Sequence, residues 1–200
     1  MIICMCRLLC VTNRKLVKED FIQRIEAIAA CRPDGIILRE KDMDSEEYKS
    51  LAIEVIGICG KYNTTCILHG HVETALELGW DNIHIPLSDL IKLSSEIRSK
   101  FKLLGSSCHS ISQAKECEKL GCNYAIAGHI FDTDCKKGLP GRGAEFYKEV
   151  CDRVNIPIFA IGGISPANYR LLANCNGAGI CIMSGGMECE NVKEYLGEFV

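Results

Sequence analysis

The stretch GHIFDTDCKKGLPGRG, residues 128–143, gathers one histidine, two lysines and four glycines directly after a short apolar run. His129 is the group there suited to moving a proton, because an imidazole with a pKa of about 6.5 can take and return one near neutrality. Lys136 and Lys137 suit an anion clamp that folds over a site, or else form a solvated charge pair. A second cationic group lies in ILREKD, residues 37–42. On a strand continued past its end, Arg39 and Lys41 share a face, so both could reach one acidic group. Arg39 is the stronger candidate, because a guanidinium grips a carboxylate through two hydrogen bonds. The competing reading is a solvated cluster, since Glu40, Asp42 and Asp44 are adjacent.

Two glycine pairs suit a different task. AIGGIS (160–165) and MSGGM (183–187) each follow an apolar run and stand where a helix should open. Glycine lets backbone N–H groups approach an anion, and a helix N-terminus adds partial positive charge. Gly163, Ser184 and Gly185, with Gly162 and Gly186 in support, are therefore the expected phosphate-binding positions. Tight turns alone would also explain these glycines. No metal or other cofactor is expected. His69 and His71 lie two apart, with His84 and Asp89 further on, but His84 precedes the end of its run and is expected to point away. Cys4 and Cys6 could share a strand face, yet no second pair follows at zinc-like spacing. His109 either caps the following helix or touches a ligand.

Such residues need a scaffold that brings distant segments together. Eight short runs rich in Ile, Val, Leu and Cys read as strands: 2–11, 35–38, 65–68, 82–85, 102–106, 124–127, 158–161 and 179–183. Between them lie segments with helical spacing, such as Phe21, Ile25, Ile28 and Ala29, or Leu51, Val55, Ile56 and Cys59. Helix starts are expected at Asp44/Ser45, Ser110 and Ser165–Pro166, and glycine-marked ends at Gly60, Gly79 and Gly121. Eight strands alternating with helices in 200 residues predict an α/β protein, a single-domain (β/α)8 TIM barrel over residues 1–200. A doubly wound open sheet is the rival, but its first turn should carry glycines, and VTNR (11–14) has none. In a barrel the chemistry sits at the C-terminal strand ends, where nearly every polar interruption of an apolar run falls.

Composition narrows the partners. With 23 Lys+Arg against 26 Asp+Glu, the net charge of −3 gives no field that would draw the chain to nucleic acid. The 14 cysteines are scattered through apolar runs without a CxxC pair, so they read as small hydrophobes in a reducing, cytoplasmic setting. No stretch reaches membrane-spanning length.

VTNR, ILREKD, IHIPLSDL, LGSSCHS, GHIFDTDCKKG, IPIFAIGGISPAN and AGICIMSGG resemble, in order, the signature segments of the thiamine phosphate synthase/TenI superfamily. The resemblance spans nearly the whole chain and implies a (β/α)8 barrel, a homodimer and a small-molecule phosphate substrate. Asp89, Arg39, Lys41 and Lys136 match synthase positions. Ile37 stands where synthases carry glutamine, His69-Gly70 where they carry an Asn-Asp pair whose aspartate holds magnesium, and His129 where they carry proline. The loop pattern is more similar to TenI. It implies a thiazole tautomerase, an isomerase that aromatises a carboxythiazole phosphate, with His129 as the proton carrier. Arg39 and Lys41 would then neutralise the carboxylate, and Gly163, Ser184 and Gly185 would hold the phosphate. The alternatives are a magnesium-dependent thiamine phosphate synthase, joining hydroxymethylpyrimidine pyrophosphate to thiazole phosphate, and a non-catalytic phosphate-binding regulator.

Overall fold

Each of the eight apolar runs forms a parallel strand in a computed structural model, which describes residues 7–199. In chain order the elements are β1 (Arg7–Val11), α1 (Phe21–Ala30), β2 (Gly35–Leu38), α2 (Ser45–Tyr62), β3 (Thr65–His69), α3 (Val72–Glu77), β4 (Asn82–Pro86), α4 (Leu87–Leu90) and α5 (Ser95–Arg98). The second half holds β5 (Leu103–Cys108), α6 (Ile111–Lys119), β6 (Tyr124–Gly128), α7 (Gly143–Cys151), β7 (Ile158–Ile161), β8 (Gly179–Ile182), α8 (Ser184–Glu188) and α9 (Val192–Gly197). Neighbouring strands pair in sequence order, and β8 returns to β1 with Leu9 opposite Cys181, closing the barrel. The predicted (β/α)8 fold is what forms. Cys4, Cys6 and the start of the first predicted strand lie outside the described residues.

The strands read as unbroken apolar runs because both of their faces are covered. Leu9, Val11, Ile37, Ile67, Tyr124, Ile126, Phe159 and Cys181 fill the barrel interior. Cys10, Ile36, Leu38 and Leu68 alternate with them and pack outward against the helices. Every cysteine whose side chain is described is a free thiol, and most are buried in these layers.

Caps explain most helix boundaries. Asp44 accepts hydrogen bonds from Glu46 N at 3.0 Å and Glu47 N at 2.9 Å, and Ser110 caps α6 through Gln113 N at 3.2 Å. Gly79 and Gly121 end α3 and α6 with positive φ, as expected. Gly60 does not end α2, which continues to Tyr62, and Asn63 takes the left-handed position at φ 57°. The largest departure follows β7, where the helix expected from Ser165–Pro166 is replaced by a turn and a short 3-10 helix, Tyr169–Leu172. Asn168 causes it: its side chain accepts from Ser165 N at 2.9 Å and donates to Gly163 O at 2.8 Å, folding the segment back on itself.

Candidate active site at the strand ends

The ends of β1 and β2 are locked by a buried carboxylate. Glu40, only 2% exposed, accepts from Thr12 Oγ1 at 2.6 Å and from Arg14 N at 3.1 Å. The Arg14 guanidinium reaches Glu40 and grips Asp42 with two bonds, 2.7 and 2.9 Å long. That contact holds the Asp42 carboxyl well below the usual carboxylate range. Thr12 Oγ1 in turn accepts from Arg39 N at 2.9 Å. With Glu40 and Asp42 tied to β1, their alternates Arg39 and Lys41 face the barrel mouth, as strand periodicity requires. The charge cluster in ILREKD thus divides into a structural half and a free half.

Arg39 and Lys41 line a cavity of about 340 Å³ at the C-terminal ends of the strands. His69, His84 and Ser107 contribute from β3, β4 and β5, and His109, His129 and Lys136 from the turns beyond. Gly162, Gly163 and Ser184 line the opposite wall. Among the described residues, no carboxylate lies within ion-pair distance of Arg39, Lys41 or Lys136. Burial depresses the Lys41 ammonium pKa, and the positive charges of Arg39 and Lys136 depress it further, with Asp89 opposing. Three cations that repel one another and form no ion pair among the described residues make a site that favours a polyanion. A larger groove, between α1 and α9 on the outer wall, holds none of these residues.

The glycine turns behave differently from each other. Gly162 and Gly163 adopt φ of 102° and 65°, and the loop after β6 lies directly on them. A Cβ on Gly162 would stand 2.3 Å from His129 Cβ, and one on Gly163 would stand 2.3 Å from Asp132 O. Gly185 and Gly186 lie inside α8 and do not line the cavity, where Met183 and Ser184 represent that turn. The helix expected to aim at an anion after β7 is absent, so backbone N–H groups of a turn are what that wall can offer.

The histidines are redistributed relative to expectation. His84 does not point away: it is buried within the barrel at 2% exposure and lines the cavity floor. Its position on β4 places it on the inward face, which counting residues from the strand end missed. His109 does not cap α6, a task Ser110 performs; its Nδ1 lies 2.7 Å from Gly128 O. His71 leaves the mouth to stack on Tyr48, with ring centroids 3.7 Å apart. Burial, then Arg39 and Lys41, push His69 down to about 4, so it is neutral at physiological pH. His129 faces the cavity with Nε2 3.2 Å from Leu139 O, which ties its ring to the far side of its own loop. Among the described residues, no three His, Cys, Asp or Glu side chains converge to hold a metal ion.

A closed parallel barrel with a cation-lined mouth and a glycine turn opposite belongs to the class of TIM barrels that handle small anionic substrates. Residues 8–185 match the thiamine monophosphate synthase (TMP-TENI) family, and the chain belongs to it. It is 34% identical over 195 residues to a thiamine-phosphate synthase of Clostridium tetani, covering 96% of this chain and 93% of that one. A thiamine-phosphate synthase of Clostridium acetobutylicum is 30% identical over 190 residues, covering 94% and 90%. Among solved structures, a thiamine phosphate pyrophosphorylase from Pyrococcus furiosus superposes with a TM-score of 0.84 at 25% identity, covering 98% of this chain and 94% of that one.

These relatives overturn the tautomerase expectation: proteins 30–34% identical along nearly the whole chain are named as synthases, not isomerases. The departures at Ile37, His69-Gly70 and His129 do not remove the site's positive charge, because Arg39, Lys41 and Lys136 converge on one cavity. By family the chain is an enzyme of thiamine biosynthesis.

Proposed function

We propose that this chain is a thiamine-phosphate synthase, a transferase that joins hydroxymethylpyrimidine pyrophosphate to a thiazole phosphate. In this reaction the thiazole ring nitrogen supplies an electron pair to the pyrimidine methylene carbon. The carbon–oxygen bond breaks, and its electron pair leaves with pyrophosphate. The observation that carries the reading is the uncompensated trio Arg39, Lys41 and Lys136 facing a cavity in a chain whose relatives bear that name. The trio would bind the pyrophosphate and stabilise the negative charge that grows on it as the bond breaks. Gly162, Gly163 and Ser184 would hold the thiazole phosphate across the cavity. Gly185, set back from the cavity, would support Ser184 rather than touch the ligand.

Magnesium, which the resemblance implies for this reaction, meets a poor donor set. Asp89 is 55% exposed and 2.9 Å from Lys92 Nζ, and Gly70 stands where a second carboxylate would be needed. These residues do not fit a protein-held magnesium site, and no step is assigned to one. His129 loses its shuttle role, since alkylation of a ring nitrogen moves no proton at that atom. Its bond to Leu139 O suits it to holding the 129–143 loop over the mouth. Burial of both substrates under that loop would exclude the water that otherwise captures the electrophilic methylene carbon.

The family resemblance also supports a homodimer, with exposed Ile53, Leu76 and Ile91 on successive units as apolar surface to cover. The whole of residues 1–200 is taken as one domain. No helix among the described residues is long and apolar enough to cross a membrane, and the free thiols support a reducing, cytoplasmic setting.

The test is an assay of the purified chain with both substrates, reading thiamine phosphate and released pyrophosphate. Product should form, and Arg39→Ala should weaken inorganic pyrophosphate binding roughly ten- to a hundredfold, as expected for a lost charge-assisted bond. Absence of product at any magnesium concentration would remove the reading.

A further inference from the structure

Below the cation wall, the cavity floor holds a three-residue chain of polar groups in an otherwise apolar barrel interior. His84 on β4 has Nδ1 3.1 Å from the Tyr124 hydroxyl and Nε2 2.8 Å from Ser107 Oγ. Tyr124 reaches that point because β5 carries Gly105 beneath its ring, where a Cβ would stand 2.1 Å from the phenol carbon. Tyr124 is 4% exposed and Ser107 lines the cavity. Among the described residues, the Tyr124 hydroxyl has no hydrogen-bond partner other than His84, and neither has the Ser107 hydroxyl.

This geometry permits two proton arrangements. A neutral imidazole has one N–H and one bare nitrogen, so it donates on one side and accepts on the other. His84 is neutral: burial, then His69 and Arg39, push its pKa well below the ordinary histidine value. If Nδ1 carried the proton, it would donate to the phenol oxygen, and the Tyr124 O–H would be buried with no acceptor. Stranding a buried donor costs about 1–3 kcal/mol. If Nε2 carries the proton, the phenol donates to Nδ1 and Nε2 donates to Ser107 Oγ. Every hydrogen in the chain is then used except the last, on Ser107, which faces the cavity.

We propose that Tyr124 and His84 are positioning residues that fix Ser107 as a hydrogen-bond donor to an acceptor atom of the bound substrate. The direction runs Tyr124 to His84 to Ser107, and the serine O–H is left for a phosphate oxygen or an unprotonated ring nitrogen. A cavity wall of cations recognises charge from several directions. A donor of fixed polarity on the floor adds orientation, because it rejects a ligand that offers N–H at that point. The serine is already a first partner of the imidazole, so its rotor is set before substrate arrives.

The proton arrangement itself belongs to the free protein, whereas the kinetic consequence rests on the synthase reading. The experiment has an arm for each. Long-range ¹H–¹⁵N NMR of the ¹⁵N-histidine protein at neutral pH, with His84 assigned through the backbone, should show Nε2 protonated and Nδ1 bare. In Tyr124→Phe the same signals should shift toward a mixture of tautomers. A His84 proton on Nδ1 in the wild-type protein overturns the proposal whether or not the chain turns over. In the joining assay, Tyr124→Phe should lower kcat/KM about tenfold in the wild-type background and less than twofold once Ser107→Ala is present. A Tyr124→Phe effect of equal size in both backgrounds would mean that the phenol acts through packing, and would overturn the positioning role.

Discussion

The glycine pairs after β7 and β8 look interchangeable in sequence, and they do different work in the structure. Gly162 and Gly163 carry positive φ, line the cavity, and lie under the 128–143 loop at distances no side chain would allow. Gly185 and Gly186 have ordinary helical backbone within α8 and sit behind the cavity wall, where Gly185 makes room for the Tyr195 hydroxyl. One pair shapes the cavity wall and the other seats a helix. A glycine pair after a barrel strand therefore signals close approach, and only the neighbours reveal whether a ligand, a loop or a ring is what approaches.

The sharpest way to break this contrast is Gly162→Ala. It combines a left-handed backbone, which costs roughly 1–2 kcal/mol for an ordinary residue, with overpacking against His129 worth roughly 1–3 kcal/mol. Denaturant unfolding should show a loss in that combined range, and protease should cut the displaced loop faster. A near-neutral variant would mean that the loop does not rest on this turn.

Gly185→Ala should cost less, about 1–3 kcal/mol, because the backbone is unstrained and the only obstacle is Tyr195, whose oxygen would lie 1.9 Å from the new Cβ. Tyr195 packs edge-on against Phe199, so it cannot simply swing away. A double-mutant cycle with Tyr195→Leu should recover most of the loss. Simple additivity would show that the clash lies elsewhere.

Neither glycine turn titrates, so alkaline sensitivity of anion binding must come from the opposite wall. The Lys41 pKa lies below its ordinary value of 10.5, and its charged form is the one that holds an anion. Pyrophosphate affinity measured by calorimetry should therefore fall as pH rises, beginning before an ordinary lysine titrates. Lys41→Arg should move that fall to higher pH, and an unchanged profile would exclude Lys41 from the site.

The smallest effect is expected at Gly186→Ala. Its Cβ would meet only the Ile182 side chain, at 3.4 Å from Cδ1 and 3.8 Å from Cγ1, and the helical backbone favours alanine by up to about 1 kcal/mol. Stability should change by less than about 1 kcal/mol in either direction, with pyrophosphate binding unaltered.

The barrel was legible because its information is local. Short unbroken apolar runs, caps such as Asp44 and Ser110, and glycines at 79 and 121 each act within a few residues. The turn after β7 was misread because Asn168 closes it through bonds to Gly163 and Ser165, a choice that serine-proline spacing does not disclose. At the site, Arg39, Lys41, Lys136, Gly162, Gly163 and Ser184 were all named from sequence and do meet at one cavity. The role of Glu40 was missed, since a carboxylate among other charges gives no sign that it will be buried against Thr12 and Arg14. His84 was misplaced for a similar reason. The clue was available in its alternation with Ile83 and Ile85, which face outward in the opposite phase.

Sequence alone determined that this chain closes an eight-stranded barrel and that its cations and glycine turns fall at strand ends, because strand period and cap chemistry are set by near neighbours. Tertiary structure alone decided which of the charges in ILREKD are neutralised, which glycine pair lines the cavity, and that His84 joins Tyr124 to Ser107. Those outcomes depend on which atoms arrive from segments 23 to 40 residues apart, and burial then fixes charge, tautomer and hydrogen-bond direction once they do.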